Sequence, residues 1–375
     1  MRVLLICDRS FAQREHALLR RLAVGLIDEG VRVVQAAPEG MAHLIRGAMT
    51  PTFEFSDLGP SITRRIRSSA LVRQLRAADD AYGTADNEAL FDVVHAWGEE
   101  CWSFALDAAS AAGASLVLEA WSGAALDRIG SLERSALRAG GDLPGLWLAP
   151  DHTTLRAIDS RSPRWARRVA PWGVHMPKDP PPHSRANGPT TIGIVARRDA
   201  DAGIMTELLN ALHEVIRQGH DVLVFADHGV FESHGALWRH ADRIGLLSAM
   251  STLECLEAQR DLLLRADVLI APDPAGEHRS VVLEAMARGM SVITQADPLI
   301  EYTIDGRTAV LVEAPTRAGW FAGLRRVLDD EPFRRGLAES ARSYIGAHRL
   351  AHAHVRAVLE AYSAVSDQPL AFRAT

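Results

Sequence analysis

The chain has 375 residues, enough for two domains that each bury a core. Hydrophobic residues at 47% and charged residues at 23% are those of an ordinary globular protein and exclude a disordered or fibrous chain. A net charge of −6 argues against a general nucleic-acid binder, which carries a basic excess.

Cys7, Cys101 and Cys255 are far apart and form no CxxC pair, a set that fits a reducing cytoplasm better than a disulfide framework. Lys178 is the only lysine among 41 basic residues, which limits any mechanism that needs one. The apolar run 3–7 is too short for a signal peptide, and no run approaches the ~20 apolar residues of a spanning helix. The expectation is a cytoplasmic protein, at most peripheral at the inner face of a membrane.

Residues 2–7 read as a first strand, buried on both faces. Leu18, Leu19, Leu22, Leu26 and Ile27 set a helical period over 15–29 that stops at Gly30, and 31–36 is the next strand. No G-x-G-x-x-G joins the first strand to the first helix, so the nicotinamide oxidoreductase class lacks its fingerprint. The stretch 61–78 carries Arg64, Arg65, Arg67, Arg73 and Arg76 without an acid, and Ile62, Ile66, Leu71 and Leu75 are expected to line one helical face. That is either a solvated helix flank or a basic amphipathic surface for anionic lipid headgroups or an anionic acceptor.

Strands are expected at 92–96, 115–119 and 146–149, with Asp151 an N-cap for the helix after the last of them. Trp97 and Trp121 fall in the loops at two strand ends. They either stack on a sugar or nucleobase face or pack between strand ends. The segment 171–189 holds Pro171, Pro177, Pro180, Pro181, Pro182 and Pro189 and can form neither helix nor central strand. The domain boundary belongs there.

A second strand–helix–strand opening begins at 190–196, with a helix over 204–216 and a strand over 221–225. Helices are expected near 232–244 and 253–264. Val268, Leu269, Ile270 and Ala271 then form a buried strand closed by Pro272, and a charged loop leads into a helix ended by Gly289. Strands follow at 291–294 and 309–312, and helices over 320–328, 332–345 and 350–365. His348, His352 and His354 include an i,i+4 pair, but no carboxylate completes a metal site, so a solvated helix is expected there.

The run LEAMARGMSVIT (283–294), with IEYTIDGRTAVLV (300–312) after it, resembles the donor-binding half of family 4 glycosyltransferases of the GT-B fold. That resemblance implies an α/β protein of two Rossmann-like, doubly wound domains facing across a cleft. Residues 1–171 would be the acceptor-side domain, 172–189 the hinge and 190–348 the nucleotide-sugar domain. The helix of 349–375 would return to the first domain. The implied activity is sugar transfer from a UDP-, GDP- or ADP-linked donor to a hydroxyl acceptor in glycan or glycolipid assembly, with retained configuration and no metal or other cofactor.

By the same resemblance Glu284 holds the ribose and Arg197 the diphosphate. The family's glutamate toward the sugar falls on Gly276, one residue before Glu277, and its phosphate-binding lysine falls on Ala202. Arg198, Arg279 and the amides near Ser280 are the groups that would make up the lost charge. His95 matches a family histidine and is expected to line the acceptor side, whereas Trp97 and Trp121 stand where histidines are usual. Asp199 or Asp201 is expected to cap the helix beginning near Ala202. A second reading follows from these departures: a catalytically degenerate adaptor or regulatory protein of the same fold.

Overall fold

The computed structural model describes residues 1–57, 61–81, 90–138, 143–162, 164–179, 188–254 and 260–366. Cys255, Pro180, Pro181 and Pro182 lie outside the described residues. The chain divides into two units: Met1–Trp172 with Ala351–Thr375, and Gly173–Leu350.

The first unit is built on a parallel sheet of strands β1 (Arg2–Cys7), β2 (Arg32–Pro38), β3 (Thr52–Phe55), β4 (Val93–Trp97), β5 (Ser115–Glu119), β6 (Gly145–Ala149) and β7 (Ala166–Val169). Their order is β3-β2-β1-β4-β5-β6-β7. The helices between them are α1 (Arg9–Asp28), α2 (Ala42–Ile45), α3 (Arg64–Ala81), α4 (Trp102–Ala112), α5 (Gly123–Arg138) and α6 (His152–Asp159). β4 and β5 are buried along their length and β1 from Val3 on, because helices cover both faces, which explains the apolar runs of β1 and β5 and the enclosure of His95 in β4.

The second unit repeats the plan with β8 (Thr190–Ile194), β9 (Val222–Asp227), β10 (Met250–Leu253), β11 (Val268–Ala271), β12 (Ser291–Gln295) and β13 (Val310–Val312). The order is β10-β9-β8-β11-β12-β13, all parallel. Its helices are α7 (Ala202–Arg217), α8 (His228–Ser233), α9 (Gly235–Arg243), α10 (Arg260–Leu263), α11 (Ser280–Arg288), α12 (Arg317–Leu328) and α13 (Glu331–His348). The last helix, α14 (Ala351–Ser366), packs on α1 of the first unit. Where the chain enters and leaves the second unit it is tied to itself: Val174 donates to the Arg349 carbonyl at 2.8 Å. Arg342 donates to the carbonyls of Ala287 and Pro177, holding the proline-rich segment against that unit as far as it is described.

Several local expectations change. A first helical segment begins already at Arg9, because Asp8 at the end of β1 caps it by accepting from Phe11 N–H, and a kink at Glu15 (φ −120°, ψ 18°) separates it from the helix expected over 15–29. Position 253 closes strand β10 instead of opening a helix, and the helix that follows is the short α10. The four apolar residues of 62–75 do not share a face. Ile62, in the turn before α3, and Ile66 are 85% and 66% exposed, while Leu71 and Leu75 are buried. Nine residues is about two and a half helical turns, so Ile66 and Leu75 point in opposite directions. His354 is buried rather than solvated.

No described helix is long and apolar enough to cross a membrane.

Candidate functional site

In each sheet the strand order reverses direction at one point, and loops at the carboxyl ends of the two strands there diverge to leave room for a ligand. In the second unit that point lies between β8 and β11. The loop after β8 carries Arg197, Arg198, Asp199 and Asp201. The loop after β11 carries Glu277 and Arg279 and leads into α11. A hydrogen bond from Asp201 N–H to Asp273 Oδ2, 3.0 Å, joins the two loops.

Arg197 is mostly buried, and its Nε lies 3.1 Å from Asp199 Oδ1. Arg198 turns outward to Glu232 and Ser233 at 3.1 and 3.0 Å. Asp201 caps α7, accepting from Gly203 N–H and Ile204 N–H at 2.7 and 3.0 Å. The helix terminus beside the absent lysine is therefore already satisfied by a carboxylate.

The loop after β11 has an unusual backbone. Ala275 and Gly276 both have positive φ, 47° and 72°. A side chain at 276 would be strained, which gives a physical reason why the acid stands at 277. The turn is held by Asp297, which accepts from Gly276 N–H at 2.6 Å and Leu299 N–H at 2.8 Å. Glu277, Arg279 and Glu284 are 8%, 5% and 8% exposed, and Ser280 is fully buried. A loose surface pairing of Glu277 with Arg279 is thereby excluded. Arg279 N–H donates to Tyr302 Oη at 3.0 Å, and the Arg279 side chain does not cap α11.

One residue escaped sequence reasoning. Arg260, at the first turn of α10, brings Nη1 to 3.7 Å from Glu284 Oε2 and donates from Nη2 to Ser280 Oγ at 3.3 Å. Ser280 and Glu284 are i,i+4 neighbours on one face of α11, so the three side chains form a single group. No local pattern pointed to it, because Glu284 and Ser280 lie 24 and 20 residues further along the chain.

In the first unit the reversal lies between β1 and β4. There the Asp8 carboxyl fills the space against Gly98, accepting from Phe11 N–H at 2.7 Å and Glu100 N–H at 3.2 Å. Burial, opposed by those two bonds and reinforced by Glu99, raises its pKa to about 7. A cavity of about 210 Å³ opens beside it, lined by Arg9, Asp57, Arg64, Arg67, Phe55 and Phe104 among others. A larger apolar cavity of about 450 Å³ includes Arg2, Val31 and Leu90 in its lining. It lies at the amino ends of the same strands, away from either reversal point.

His95 has no exposed surface. Its Nδ1 is 2.8 Å from Tyr362 Oη of α14, and its Nε2 is 3.6 Å from Glu119 Oε2. Burial first, and His354 second, lower its pKa well below the ordinary value. Glu119 accepts from Trp172 Nε1 at 2.7 Å, and burial raises its pKa to about 8. Trp97 and Trp121 do not face a ligand loop. They are buried with Trp172 around Phe11, whose ring lies 5.1 to 5.9 Å from all three. Arg14 stacks its guanidinium 5.1 Å from the Trp121 ring. Among the described residues no three metal-ligating side chains gather.

No family model and no curated protein matches the chain. Solved structures do. HepE of Anabaena, in complex with UDP-glucose, aligns with a TM-score of 0.73 at 15% identity over 97% of this chain and 100% of its own. Sucrose-phosphate synthase of Thermosynechococcus elongatus gives 0.73 and 15% over 97% and 98%. A Listeria monocytogenes protein assigned as a UDP-N-acetylglucosamine 2-epimerase gives 0.65 and 16% over 100% and 99%. At such identities the likeness is one of fold, and one fold hosts several chemistries. The chain has the architecture of the GT-B glycosyltransferases, two Rossmann-like α/β units in succession.

Proposed function

We propose that the protein is a glycosyltransferase of the family 4 kind, moving a sugar from a nucleotide-sugar to a hydroxyl acceptor with retained configuration. The observation that carries this reading is the gathering of Arg197, Glu277, Arg279 and Glu284 around one strand-order reversal. In this reading residues 190–348 bind the donor, 1–171 serve the acceptor, and 172–189 link them. Glu284 accepts hydrogen bonds from ribose hydroxyls, and Arg197 and Arg279 face the diphosphate. Fixed guanidinium groups and the first amides of α11 stabilise the negative charge that grows on the departing phosphate oxygen. Glu277 hydrogen-bonds the transferred sugar. His95, being enclosed, acts on the acceptor side by supporting the end of β4 and positions rather than touches.

The degenerate, adaptor-like reading is favoured by a different observation: charged groups here have resident partners. Arg197 is paired with Asp199, Arg198 with Glu232, and Glu284 with Arg260. Calorimetric titration with UDP-, GDP- and ADP-linked sugars separates the two. Micromolar binding of one donor supports the enzyme, and silence at millimolar concentration of all three leaves the adaptor.

α3 supports a peripheral membrane contact as part of the same proposal. Its exposed face carries Ile66 with Arg65, Arg73 and Arg76, and the turn before it adds exposed Ile62, an apolar and basic pairing suited to anionic headgroups. Co-sedimentation with phosphatidylglycerol vesicles at low salt is expected, reduced several-fold by Ile62→Asp with Ile66→Asp. Retention of the parent protein in the supernatant would remove the idea.

A further inference from the structure

We infer that Arg260 is the residue that meets the α-phosphate of the nucleotide, an assignment that rests on the donor-binding reading of the second unit. A carboxylate that accepts hydrogen bonds from ribose hydroxyls fixes where the rest of the nucleotide lies, because the α-phosphate is only one furanose ring away. Arg197 and Arg198, in the loop after β8, are held by Asp199 and Glu232. Arg260 touches the Glu284 group itself, 3.7 Å from the carboxylate and 3.3 Å from Ser280 Oγ at the opening of α11.

The surroundings sharpen the assignment. The Arg260 and Glu284 side chains are 11% and 10% exposed, so the pair is largely taken out of water. Burying such a pair costs desolvation on both sides, and a 3.7 Å approach recovers less of it than a close fork would. A phosphate arriving at the start of α11 gives the guanidinium a second anion in a water-poor place, while ribose hydroxyls take up the carboxylate. The pair is thus a resting state whose two members part company onto two adjoining groups of one ligand. Arginine suits this exchange because, once it leaves Glu284, its planar fork can address two phosphate oxygens together. The chain's single lysine, Lys178, lies in the segment before β8 and is not part of this group.

Affinities of a nucleoside, its monophosphate and its diphosphate test the assignment. Uridine, UMP and UDP are used first, then the guanosine and adenosine series. The parent protein should bind the monophosphate more tightly than the nucleoside. Arg260→Gln should weaken mono- and diphosphate about ten- to a hundredfold while leaving the nucleoside unchanged. Arg260→Lys, which keeps the charge and loses the fork, should fall between and guards against a folding failure of the glutamine variant. Glu284→Gln should weaken all three by one common factor, since it acts at the ribose. An equal loss for all three ligands in Arg260→Gln, or no loss, overturns the assignment. Absence of binding by the parent protein in all three series overturns the donor-site reading with it.

Discussion

Alanine at position 98 should destabilise the first unit by about 4 kcal/mol or more. Two separate causes add. Gly98 has φ of +96°, which no L-residue adopts cheaply. A Cβ there would also lie 2.1 to 2.4 Å from three atoms of the Asp8 carboxyl group. That carboxyl cannot step aside, because it is buried and bonded to Phe11 N–H and Glu100 N–H, the first of which starts α1. Adding Asp8→Ala to Gly98→Ala should relieve the clash while leaving the backbone strain. The double variant should therefore be less damaged than the sum of the single ones. Urea unfolding followed by tryptophan fluorescence measures this. A midpoint for Gly98→Ala within error of the parent would contradict the packing described.

Glu119→Gln should do the reverse and stabilise the protein at alkaline pH, by an amount on the order of 4 kcal/mol. In the fold the Glu119 carboxyl has its pKa raised to about 8 from 4.5 by burial, with the Trp172 bond pulling the other way. Between those values the folded protein keeps a proton that the unfolded chain has released. The stability of the parent therefore falls as pH rises from about 4.5 to about 8. Glutamine keeps an acceptor for Trp172 Nε1 and has no proton to lose. Parent and variant should be nearly equal at pH 4.5 and diverge steadily above it. Asp8, raised to about 7, leaves the variant a smaller fall of its own at lower pH. His95 works in the opposite sense: held neutral in the fold, it withdraws stability as pH falls below 6.5. Parallel curves for parent and variant would show that Glu119 is ionised in the folded protein.

Much of this architecture was legible in the sequence because central parallel strands announce themselves. The 268–271 run has apolar residues on both faces, and α11 ends where Gly289 adopts φ of +80°. The edge strands β7 and β10 gave no such signal. β7 reads ARRV and is largely exposed, and β10 reads MSTL. Both are strands only because a neighbour supplies their hydrogen-bond partners.

The candidate site was half legible for a related reason. Glu284 and Arg197 lie in stretches that carry the resemblance to the family 4 glycosyltransferases. The partner of Glu284 is 24 residues upstream, and the hydroxyl that receives Arg279 N–H belongs to Tyr302. The tryptophans left two readings open for a plainer cause. A residue at a strand end faces either solvent or the layer beneath, and Phe11 of α1 supplies that layer.

The account stands on one ligand lodging where β8 and β11 diverge. The most direct measurement of that is calorimetric titration of the parent protein and of Glu284→Gln with the donor that the panel identifies. Both proteins are first shown to be folded by their melting curves. The account predicts micromolar binding by the parent and at least about tenfold weaker binding by the variant, the cost of one charge-assisted contact. Equal affinity in the two proteins would place the nucleotide somewhere other than the second sheet's reversal point.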